Sequence, residues 1–444
     1  MPTHQHPAPF VWGVATSALQ IEGAIDRDGR GRSIWEDFQE RPGAIANDDR
    51  VDQGSHHYDH WRQDIALMAD LGVDAYRFSV AWPRVVPDGD GDVNAAGLGF
   101  YDHLVDGLLE AGIEPVVTLY HWDLPSALQA RGGWTDRATA HAFARYARVV
   151  VDALGDRVAR VITHNEPAVA SLVANAAGVH APGVHDIGTA LEVAHGLLVS
   201  HGLAVESIRE SRHDVEVGIT LDVNVIEAAD PDDGRHRTAA DLLDGQLARW
   251  FLDPVFGQDY PADVVAFYGD AAPTVADGDM ERIAAPIDFL GVNYYRRDVV
   301  EPAPDGHWAA AVVTPRDVPR TALGWEIHPG GLHDVVARVS AHGPDYVMVT
   351  ENGAAFDDPP ATDGRIHDTD RVAYLTDHVA AVQRCLDDGL PLRGWFLWSL
   401  LDNFEWAEGY RSRFGIIHSD PDRHLRILKD SARWYRSHIA SWRS

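Results

Sequence analysis

The chain has 444 residues, a formal net charge of −31 and one cysteine, Cys385. Its negative charge repels nucleic acid and anionic membranes, so neither is expected as a partner. One cysteine cannot form an intramolecular disulfide, no stretch reaches the ~20 apolar residues of a membrane helix, and Met1–Phe10 lacks a secretory pattern. We therefore predict a cytoplasmic protein.

Short apolar segments alternate along the chain with longer amphipathic ones. Eight short segments are predicted to be strands: Val11–Thr16, Ala75–Ser79, Pro115–Tyr120, Val161–Asn165, Glu216–Asp222, Phe289–Asn293, Tyr346–Thr350 and Gly394–Ser399. Four amphipathic segments are predicted to be helices: His60–Leu71, Leu98–Ala111, Thr139–Leu154 and Arg371–Leu386. Gly72 and Gly112 are suited to end the first two. The segments Asp270–Asp279 and Pro302–Pro319 are predicted to be long loops.

The alternation of strands and helices predicts an α/β fold. Each parallel strand needs a crossover connection to the next one, and eight such units close a barrel. We therefore predict that residues 1–444 form a single catalytic domain, a (β/α)8 TIM barrel with extended βα loops.

The acidic surplus of the composition has two interpretations. Lys429 is the only lysine among 37 basic residues, and the others are arginines. A GC-rich genome would favour arginine and leave a solvated acidic surface. Adaptation to high salt is the second interpretation. At high salt, counter-ions screen the repulsion between the acidic side chains, so a strongly acidic protein can stay folded. A melting temperature that does not rise between low and molar salt would exclude the second interpretation.

Polar and aromatic residues gather directly after the predicted strands. In a β/α barrel the carboxyl ends of the strands build the active site. Carboxylates, amides, an imidazole and indoles at one mouth suit a sugar, whose hydroxyls need polar partners and whose C–H faces pack on aromatic rings. The clusters are His121–Asp123, Asn165–Pro167, Asn293–Tyr295, Glu351–Gly353 and Trp398–Trp406.

Two glutamates, Glu166 and Glu351, follow predicted strands four and seven. Glycosidic cleavage needs a proton donor and a second carboxylate, about 5–5.5 Å apart in retaining enzymes and about 6.5–9.5 Å apart in inverting ones. Pro167 is expected to hold Glu166 in an extended conformation. Gly353 is expected to provide a sharp turn after Glu351.

Seven ordered motifs resemble those of glycoside hydrolase family 1, the β-glucosidase family. They are Phe10–Ala24 (FVWGVATSALQIEGA), Tyr76–Arg84 (YRFSVAWPR), Thr118–Pro125 (TLYHWDLP), Thr163–Pro167 (THNEP), Phe289–Tyr295 (FLGVNYY), Thr350–Gly353 (TENG) and Trp395–Tyr410 (WFLWSLLDNFEWAEGY). The resemblance implies a (β/α)8 barrel and a double-displacement mechanism.

The resemblance also implies the roles of four catalytic residues. Glu166 would be the general acid and then the general base, which requires a raised pKa, whereas Glu351 would be the ionised nucleophile. Arg77 resembles the arginine that keeps the nucleophile anionic. Tyr295 resembles the tyrosine that donates a hydrogen bond to the same carboxylate.

The remaining predicted site residues would bind the substrate. Gln20, His121, Asn165 and Glu405 align with residues that hold sugar hydroxyls, Asn165 with the one that binds the 2-hydroxyl. Trp398 and Trp406 align with the aromatic floor and wall, Asn293 with a polar residue near the acid/base, and Trp325 with the tryptophan on the leaving-group side. Trp122 and Phe414 complete the predicted set.

Two comparisons within the family narrow the substrate. Members that act on 6-phosphorylated sugars carry a serine and basic residues where this chain has Glu405 and Trp406, so a non-phosphorylated sugar is favoured. Thioglucosidases replace the acid/base by glutamine, whereas Glu166 is intact. Departures from the motifs, Ala18-Leu19 before Gln20 and His164 within THNEP, bear on fine specificity, and strand alternation should turn His164 away from Asn165.

We therefore predict an exo-acting retaining β-glucosidase for small β-glycosides and oligosaccharides, with β-galactosidase or β-fucosidase side activity. The alternatives are a catalytically silent carbohydrate-binding barrel, an enzyme that is primarily a β-galactosidase or transglycosidase, and an inverting hydrolase. His56, His57 and His60 could suggest a metal site, but no fourth ligand is evident and the chemistry needs no metal. No metal and no cofactor are predicted.

Overall fold

The computed structural model describes residues 10–303, 306–313, 315, 317–420 and 423–444. The N-terminal stretch Met1–Phe10, which lacks a secretory pattern, therefore lies outside the described residues apart from Phe10. Parts of the predicted loop Pro302–Pro319 also lie outside them. Within the described residues, no helix combines the length and the apolar composition that crossing a membrane requires.

Eight parallel strands form a closed barrel in which each strand pairs with its neighbours in sequence, and the last pairs with the first. They are β1 (Val11–Ala15), β2 (Ala75–Ser79), β3 (Glu114–Tyr120), β4 (Arg160–Asn165), β5 (Glu216–Asp222), β6 (Phe289–Asn293), β7 (Val347–Asn352) and β8 (Leu392–Trp398). The predicted fold class and all eight predicted strands are confirmed, with ends that differ by two residues at most.

One longer helix follows each strand and returns the chain to the start of the next strand or, after β8, ends the chain. They are α1 (His57–Leu71), α2 (Ala95–Glu110), α3 (Arg137–Leu154), α4 (Ile187–Arg209), α5 (Gly234–Asp244), α6 (Gly330–Ser340), α7 (Thr369–Asp387) and α8 (Asp430–Trp442). Shorter helical segments are Ala18–Ile21, Ile34–Phe38, Ala46–Asp48, Trp82–Val85, Ser126–Gln129, Gly133–Thr135, Val169–Ala176, Gly245–Arg249, Trp250–Val255, Ala262–Tyr268, Gly269–Ala271, Asp279–Ile283 and Trp406–Glu408.

Local sequence signals explain where the longer helices begin and end. At the start of α3, the Asp136 side chain accepts a hydrogen bond from the backbone N–H of Ala138, which satisfies a free donor of the first turn. At the end of α1, Gly72 adopts φ +75°, a left-handed conformation that glycine tolerates. Along each longer helix the apolar side packs against the barrel, as Phe143, Ala147 and Val150 of α3 do.

One predicted feature outside the barrel needs correction. The segment Pro302–Pro319 is not wholly a loop, because Ala310–Val312 forms a strand that pairs antiparallel with Arg297–Pro302. A third short strand, Val225–Ala228, completes this outer sheet. Strands were predicted from runs of apolar residues, and the charged residues within Arg297–Pro302 interrupt such a run.

Gly353, where we expect a sharp turn after Glu351, does not adopt a positive φ. A Cβ atom at this position would lie 1.7 Å from the carbonyl oxygen of Trp398. Glycine is therefore required because β7 and β8 approach each other closely where both reach the mouth of the barrel. This approach brings the ends of the two strands to one side of the same cavity.

Candidate active site

Glu351 lies at the end of β7 and is only 3% exposed. The guanidinium Nη1 of Arg77, from β2, donates a hydrogen bond to Oε1 at 2.5 Å. The hydroxyl of Tyr295, just after β6, donates to Oε2 at 2.5 Å. Both carboxylate oxygens are thus held by donors that favour the ionised form.

Glu166 follows β4 and is also buried, but its backbone is not extended as Pro167 led us to expect. Its φ is +48°, in the left-handed region. The pairing of β4 with β5 shifts between Ile162 and Asn165, and the Glu166 N–H then bonds the carbonyl of Thr220 at 2.9 Å. This local departure from alternation lets two consecutive side chains, Asn165 and Glu166, face the barrel mouth.

Asn293 connects the two glutamate clusters. Its amide Nδ2 donates to Glu166 Oε1 at 2.6 Å and to Asn165 Oδ1 at 3.1 Å. The same Asn165 oxygen accepts from Arg77 Nη2 at 2.6 Å, and Arg77 in turn binds Glu351. One hydrogen-bonded network, built from β2, β4, β6 and β7, therefore fixes both carboxyl groups.

The surroundings of the two glutamates separate their pKa values. Burial raises the pKa of Glu166 well above its usual range, and the charges of Asp222 and Glu351 raise it further. Burial also raises the pKa of Glu351, but the charge of Arg77 and the hydrogen bond from Tyr295 oppose that rise. The proton of the pair therefore resides on Glu166.

A second set of polar groups lies beside Glu351, around Gln20. Its amide Nε2 donates to Asn403 Oδ1 at 3.0 Å, to the Phe404 carbonyl at 2.8 Å and to Glu405 Oε2 at 3.4 Å. Burial, followed by the charges of Glu351 and Glu408, raises the pKa of Glu405 to about 8. At neutral pH Glu405 is therefore largely protonated and can donate as well as accept a hydrogen bond.

His121 completes this side of the site. The amide Nδ2 of Asn165 donates to His121 Nε2 at 3.2 Å. Burial and the positive charge of Arg77 lower the pKa of His121 well below its usual value, so the ring is neutral. Its plane lies nearly parallel to the rings of Trp398 and Trp406, with both centroids 5.8 Å away.

The aromatic side chains are held in unusual backbone conformations. Trp122 has φ +73° and Trp406 has φ +52°, both left-handed. The indole N–H of Trp122 donates to the Asn165 carbonyl at 2.9 Å, and its ring lies 4.4 Å from that of Trp406. Such conformations persist only where surrounding contacts impose them, and they concentrate at functional sites.

These groups line one cavity of about 390 Å³ at the carboxyl ends of the strands. Its described lining residues are His121, Trp122, Glu166, Ala168, Val169, Val173, His180, Asp222, Leu247, Tyr295, Arg296, Leu323, Trp325, Glu351, Trp398, Glu405, Trp406, Glu408 and Phe414. Of the fourteen predicted site residues, ten line the cavity directly. Arg77 and Asn293 act behind that surface through hydrogen bonds to the glutamates, Asn165 through its bonds to Arg77 and Asn293, and Gln20 through Glu405.

The family model of glycosyl hydrolase family 1 matches residues 2–443. The chain belongs to this family. The predicted family is confirmed, and so is the predicted class of enzyme, a retaining β-glycosidase.

Relatives of this family 1 enzyme are similar along nearly their whole length. β-Glucosidase A of Thermotoga maritima is 45% identical over 436 residues, which are 98% of each chain. A bifunctional β-D-glucosidase/β-D-fucosidase of Bifidobacterium breve is 40% identical over 457 residues, again 98% of each chain. A solved structure of the Thermotoga maritima β-glucosidase in complex with galacto-hydroximolactam superposes with a TM-score of 0.94, at 45% identity and 98% coverage of both chains.

Several cavity residues of the family 1 enzyme were not found from the sequence. Asp222 and Arg296 are charged lining residues. Behind the lining, the Thr350 hydroxyl donates to Asn293 Oδ1 at 2.8 Å. Asp222 ends β5, so the rule that strand ends build the site would have found it. Arg296 directly follows the predicted Tyr295, but no neighbouring residue in the sequence indicates that its side chain faces the cavity.

Other histidines considered from the sequence lie away from the cavity. His164 turns outward, as strand alternation predicts, and its Nε2 lies 2.8 Å from Ser200 Oγ on α4. His57 pairs with Asp64 at 2.8 Å, whereas His60 lies 3.2 Å from His424. Among the described residues, no group of three or more His, Cys, Asp or Glu side chains is arranged to hold a metal ion.

Proposed function

We propose that the enzyme is an exo-acting β-glucosidase with β-galactosidase and β-fucosidase side activity. It hydrolyses non-phosphorylated β-glycosides and oligosaccharides by double displacement, with Glu166 as acid/base and Glu351 as nucleophile. The observation that carries the proposal is the opposed pair of carboxyl groups at one cavity: burial and like charges favour the proton on Glu166, while Arg77 and Tyr295 favour the charge on Glu351.

In the first step, Glu351 attacks the anomeric carbon while Glu166 donates its proton to the departing oxygen. Arg77 and Tyr295 hold Glu351 in one orientation before the attack, so little reorganisation is needed. The alcohol leaves, and Glu351 carries the sugar as an ester.

In the second step, water replaces the leaving group. Because the ester has no charge, one of the like charges that raised the pKa of Glu166 is gone. Glu166 is then deprotonated and can take a proton from the attacking water. Attack from the side of the departed alcohol releases the β-sugar and the free Glu351 carboxylate, with net retention.

The glycone specificity rests on the buried polar groups around Gln20, His121, Asn165 and Glu405. Arg296 is the one arginine or lysine among the described lining residues. A phosphate beside Glu405 would therefore meet a carboxyl group and no adjacent ammonium or guanidinium group, which argues for non-phosphorylated sugars. The galactosidase and fucosidase side activities draw on the relatives, one of which is named for β-fucosidase and one of which is solved with a galacto-configured ligand.

The test is a panel of nitrophenyl glycosides that varies one feature at a time: α or β linkage, glucose, galactose or fucose, and the presence of a 6-phosphate. We expect turnover of the β-glucoside, weaker turnover of the β-galactoside and β-fucoside, and none of the α- or 6-phospho-glycosides. Proton NMR of the first product should show β-glucose. First-formed α-glucose would indicate an inverting enzyme, and no turnover of any member would favour a silent binding protein.

A further inference from the structure

A chain of hydrogen bonds leads to Glu166 through two threonines to which the double displacement assigns no task. Thr350, on β7, donates its hydroxyl to Oδ1 of Asn293 at 2.8 Å. The hydroxyl oxygen of Thr220, on β5, lies 3.2 Å from that of Thr350. Both threonines are completely buried, and Asn293 itself donates to Glu166 Oε1 at 2.6 Å. The two hydroxyls are therefore connected to the acid/base through a single amide group.

The chain can run in only one direction, because each threonine hydroxyl carries a single proton. Oδ1 of Asn293 can only accept, so the proton of Thr350 points to it. Thr350 therefore accepts from Thr220, and the contact between their oxygens is a hydrogen bond donated by Thr220. Successive bonds of the same direction polarise one another in a buried site. The chain thus strengthens the donors at the nitrogen of Asn293.

Two anchors on opposite sides determine which way the Asn293 amide points. On one side, Arg77 can only donate, so the Asn165 Oδ1 atom that accepts from it at 2.6 Å is an oxygen and not the amide nitrogen. That oxygen must face the nitrogen of Asn293, 3.1 Å away. On the other side, the Thr350 hydroxyl holds the oxygen of Asn293. The Asn293 nitrogen is therefore directed at Glu166.

The two threonines can meet because the residue between them has no side chain. Thr220 and Thr350 belong to β5 and β7, which are separated by β6. Gly291 of β6 pairs in register with Thr220. A Cβ atom at Gly291 would overlap Thr220 Oγ1 and would lie 3.1 Å from Thr350 Oγ1. Glycine at this position therefore leaves the space in which the two hydroxyls form their hydrogen bond.

We propose that Thr220 and Thr350 are positioning residues for the acid/base, which hold the Asn293 amide so that it donates to Glu166. This inference rests on the proposed double displacement and adds to it the residues that orient the acid/base. The bond from Asn293 lowers the pKa of Glu166, against burial and the charges of Asp222 and Glu351. It favours the ionised Glu166 that the second step requires.

Removing a threonine hydroxyl leaves the other influences on Glu166 in place. The titratable or charged side chains that interact with Glu166 come from β2, β5, β7 and the residues after β6, and they are Arg77, Asp222, Glu351, Tyr295 and Arg296. Within the part of the chain that the structure describes, neither threonine hydroxyl is hydrogen-bonded to any of these side chains. A change in the titration of Glu166 would therefore report on Asn293.

The experiment measures kcat/KM for nitrophenyl β-glucoside against pH in Thr350→Val, which replaces the hydroxyl by a methyl group of similar size. Oδ1 of Asn293 then loses its donor, and the bond to Glu166 weakens. The pKa of Glu166 rises as a result. Because Glu166 acts as an acid only when protonated, the alkaline limb should move to higher pH, by about half a unit to one unit, part of what a hydrogen bond to a charged group contributes.

Two further variants grade the effect. Thr220→Val removes only the donor to Thr350, so the alkaline limb should move in the same direction by a smaller amount. Thr350→Ser keeps the hydroxyl and should leave the limb where it is in the unaltered enzyme. The acid limb, which reports the ionisation of Glu351, should move less than the alkaline limb in Thr350→Val, because the charge of Arg77 and the hydrogen bond from Tyr295 act on Glu351 more strongly than Asn293 does.

Thr163→Val is the matched control. Thr163 is also completely buried, on β4, but its hydroxyl oxygen lies 2.7 Å from Nδ1 of His201 on α4. Its alkaline limb should coincide with that of the unaltered enzyme. An alkaline limb that stays in place or moves to lower pH in Thr350→Val and Thr220→Val would overturn the inference, as would an equal shift in Thr163→Val. Absence of turnover of nitrophenyl β-glucoside by the unaltered enzyme would instead refute the proposed function itself.

Discussion

The cavity has a glycone half, lined by His121, Glu351 and Glu405, and a leaving-group half, lined by Asp222, Arg296 and Trp325. The two halves differ in how far their polar side chains are hydrogen-bonded to other protein groups. Gln20 is fully buried and is bonded through both ends of its amide, to Ser17 and to Asn403 and Glu405. In the other half, no hydrogen bond from the described residues engages Nη1 or Nη2 of Arg296 or Oδ2 of Asp222. The first half is thus preorganised for one sugar and the reaction, and the second is where the substrate can vary.

The support beneath the two halves differs as well. Below the glycone half, Lys429 is completely buried and donates to Asp358 at 2.5 Å and to Asp402 at 2.7 Å. Asp402 precedes Asn403, which binds Gln20. The leaving-group half instead rests on the pair Arg297–Glu326, which is partly exposed. Disturbing each half should therefore have distinct consequences.

The largest effect is expected from the glycone half, where Glu351→Gly removes the group that forms the covalent bond. We expect kcat to fall by about 10⁴-fold or more, because a nucleophile is not replaced by its neighbours. Formate should restore part of the activity by occupying the space of the missing carboxylate, and the measurement is nitrophenolate release with and without formate. Full activity without formate would show that Glu351 is not the nucleophile.

The next effect should be a loss of stability. Lys429→Met removes one partner of a buried ionic network and leaves Asp358 and Asp402 with fewer donors, so we expect the free energy of unfolding to fall by about 3 kcal/mol. Urea unfolding followed by tryptophan fluorescence measures it. The control is Arg338→Met, which breaks a partly exposed pair with Asp244 and should cost less than about 1 kcal/mol. Equal losses in the two variants would refute a special support beneath the glycone half.

A smaller effect is expected when a donor to the nucleophile is lost. Tyr295→Phe removes the hydrogen bond to Glu351 Oε2, and we expect kcat to fall by about 10²-fold. That bond favours the ionised carboxylate, so its loss raises the pKa of Glu351 further. Because Glu351 must be ionised to attack, the acid limb of kcat/KM should move to higher pH. Tyr294→Phe is the control, since the Tyr294 hydroxyl donates to the His328 carbonyl away from Glu351, and it should leave that limb in place.

The barrel could be predicted from the sequence because its signals are local. Apolar runs with strand lengths, Gly72 after an amphipathic stretch and polar clusters after the strands each depend on neighbouring residues. The outer hairpin was missed because its strand Arg297–Pro302 is charged, and its partner strand is only three residues long.

The site could be predicted only as far as its motifs extended. Glu166, Glu351 and their donors lie in motifs, but the backbone conformation of Glu166 depends on a shift in the pairing of β4 with β5. Asp222 ends β5 and Arg296 follows β6, and their proximity follows from the pairing of these two strands. The single-domain boundary and the cytoplasmic location remain predictions.

The smallest effect should come from the leaving-group half, where Asp222→Asn removes a negative charge near Glu166. Burial raises the pKa of Asp222 to about 6, so Asp222 is ionised at neutral pH and there raises the pKa of Glu166. Without that charge the pKa of Glu166 falls. Because Glu166 must be protonated to act as the acid, the alkaline limb of kcat/KM should move to lower pH. Glu408→Gln, a second acid of the cavity whose charge acts on Glu405, should not move it. An alkaline limb unchanged in Asp222→Asn would mean that the proton on Glu166 depends on burial and Glu351 alone.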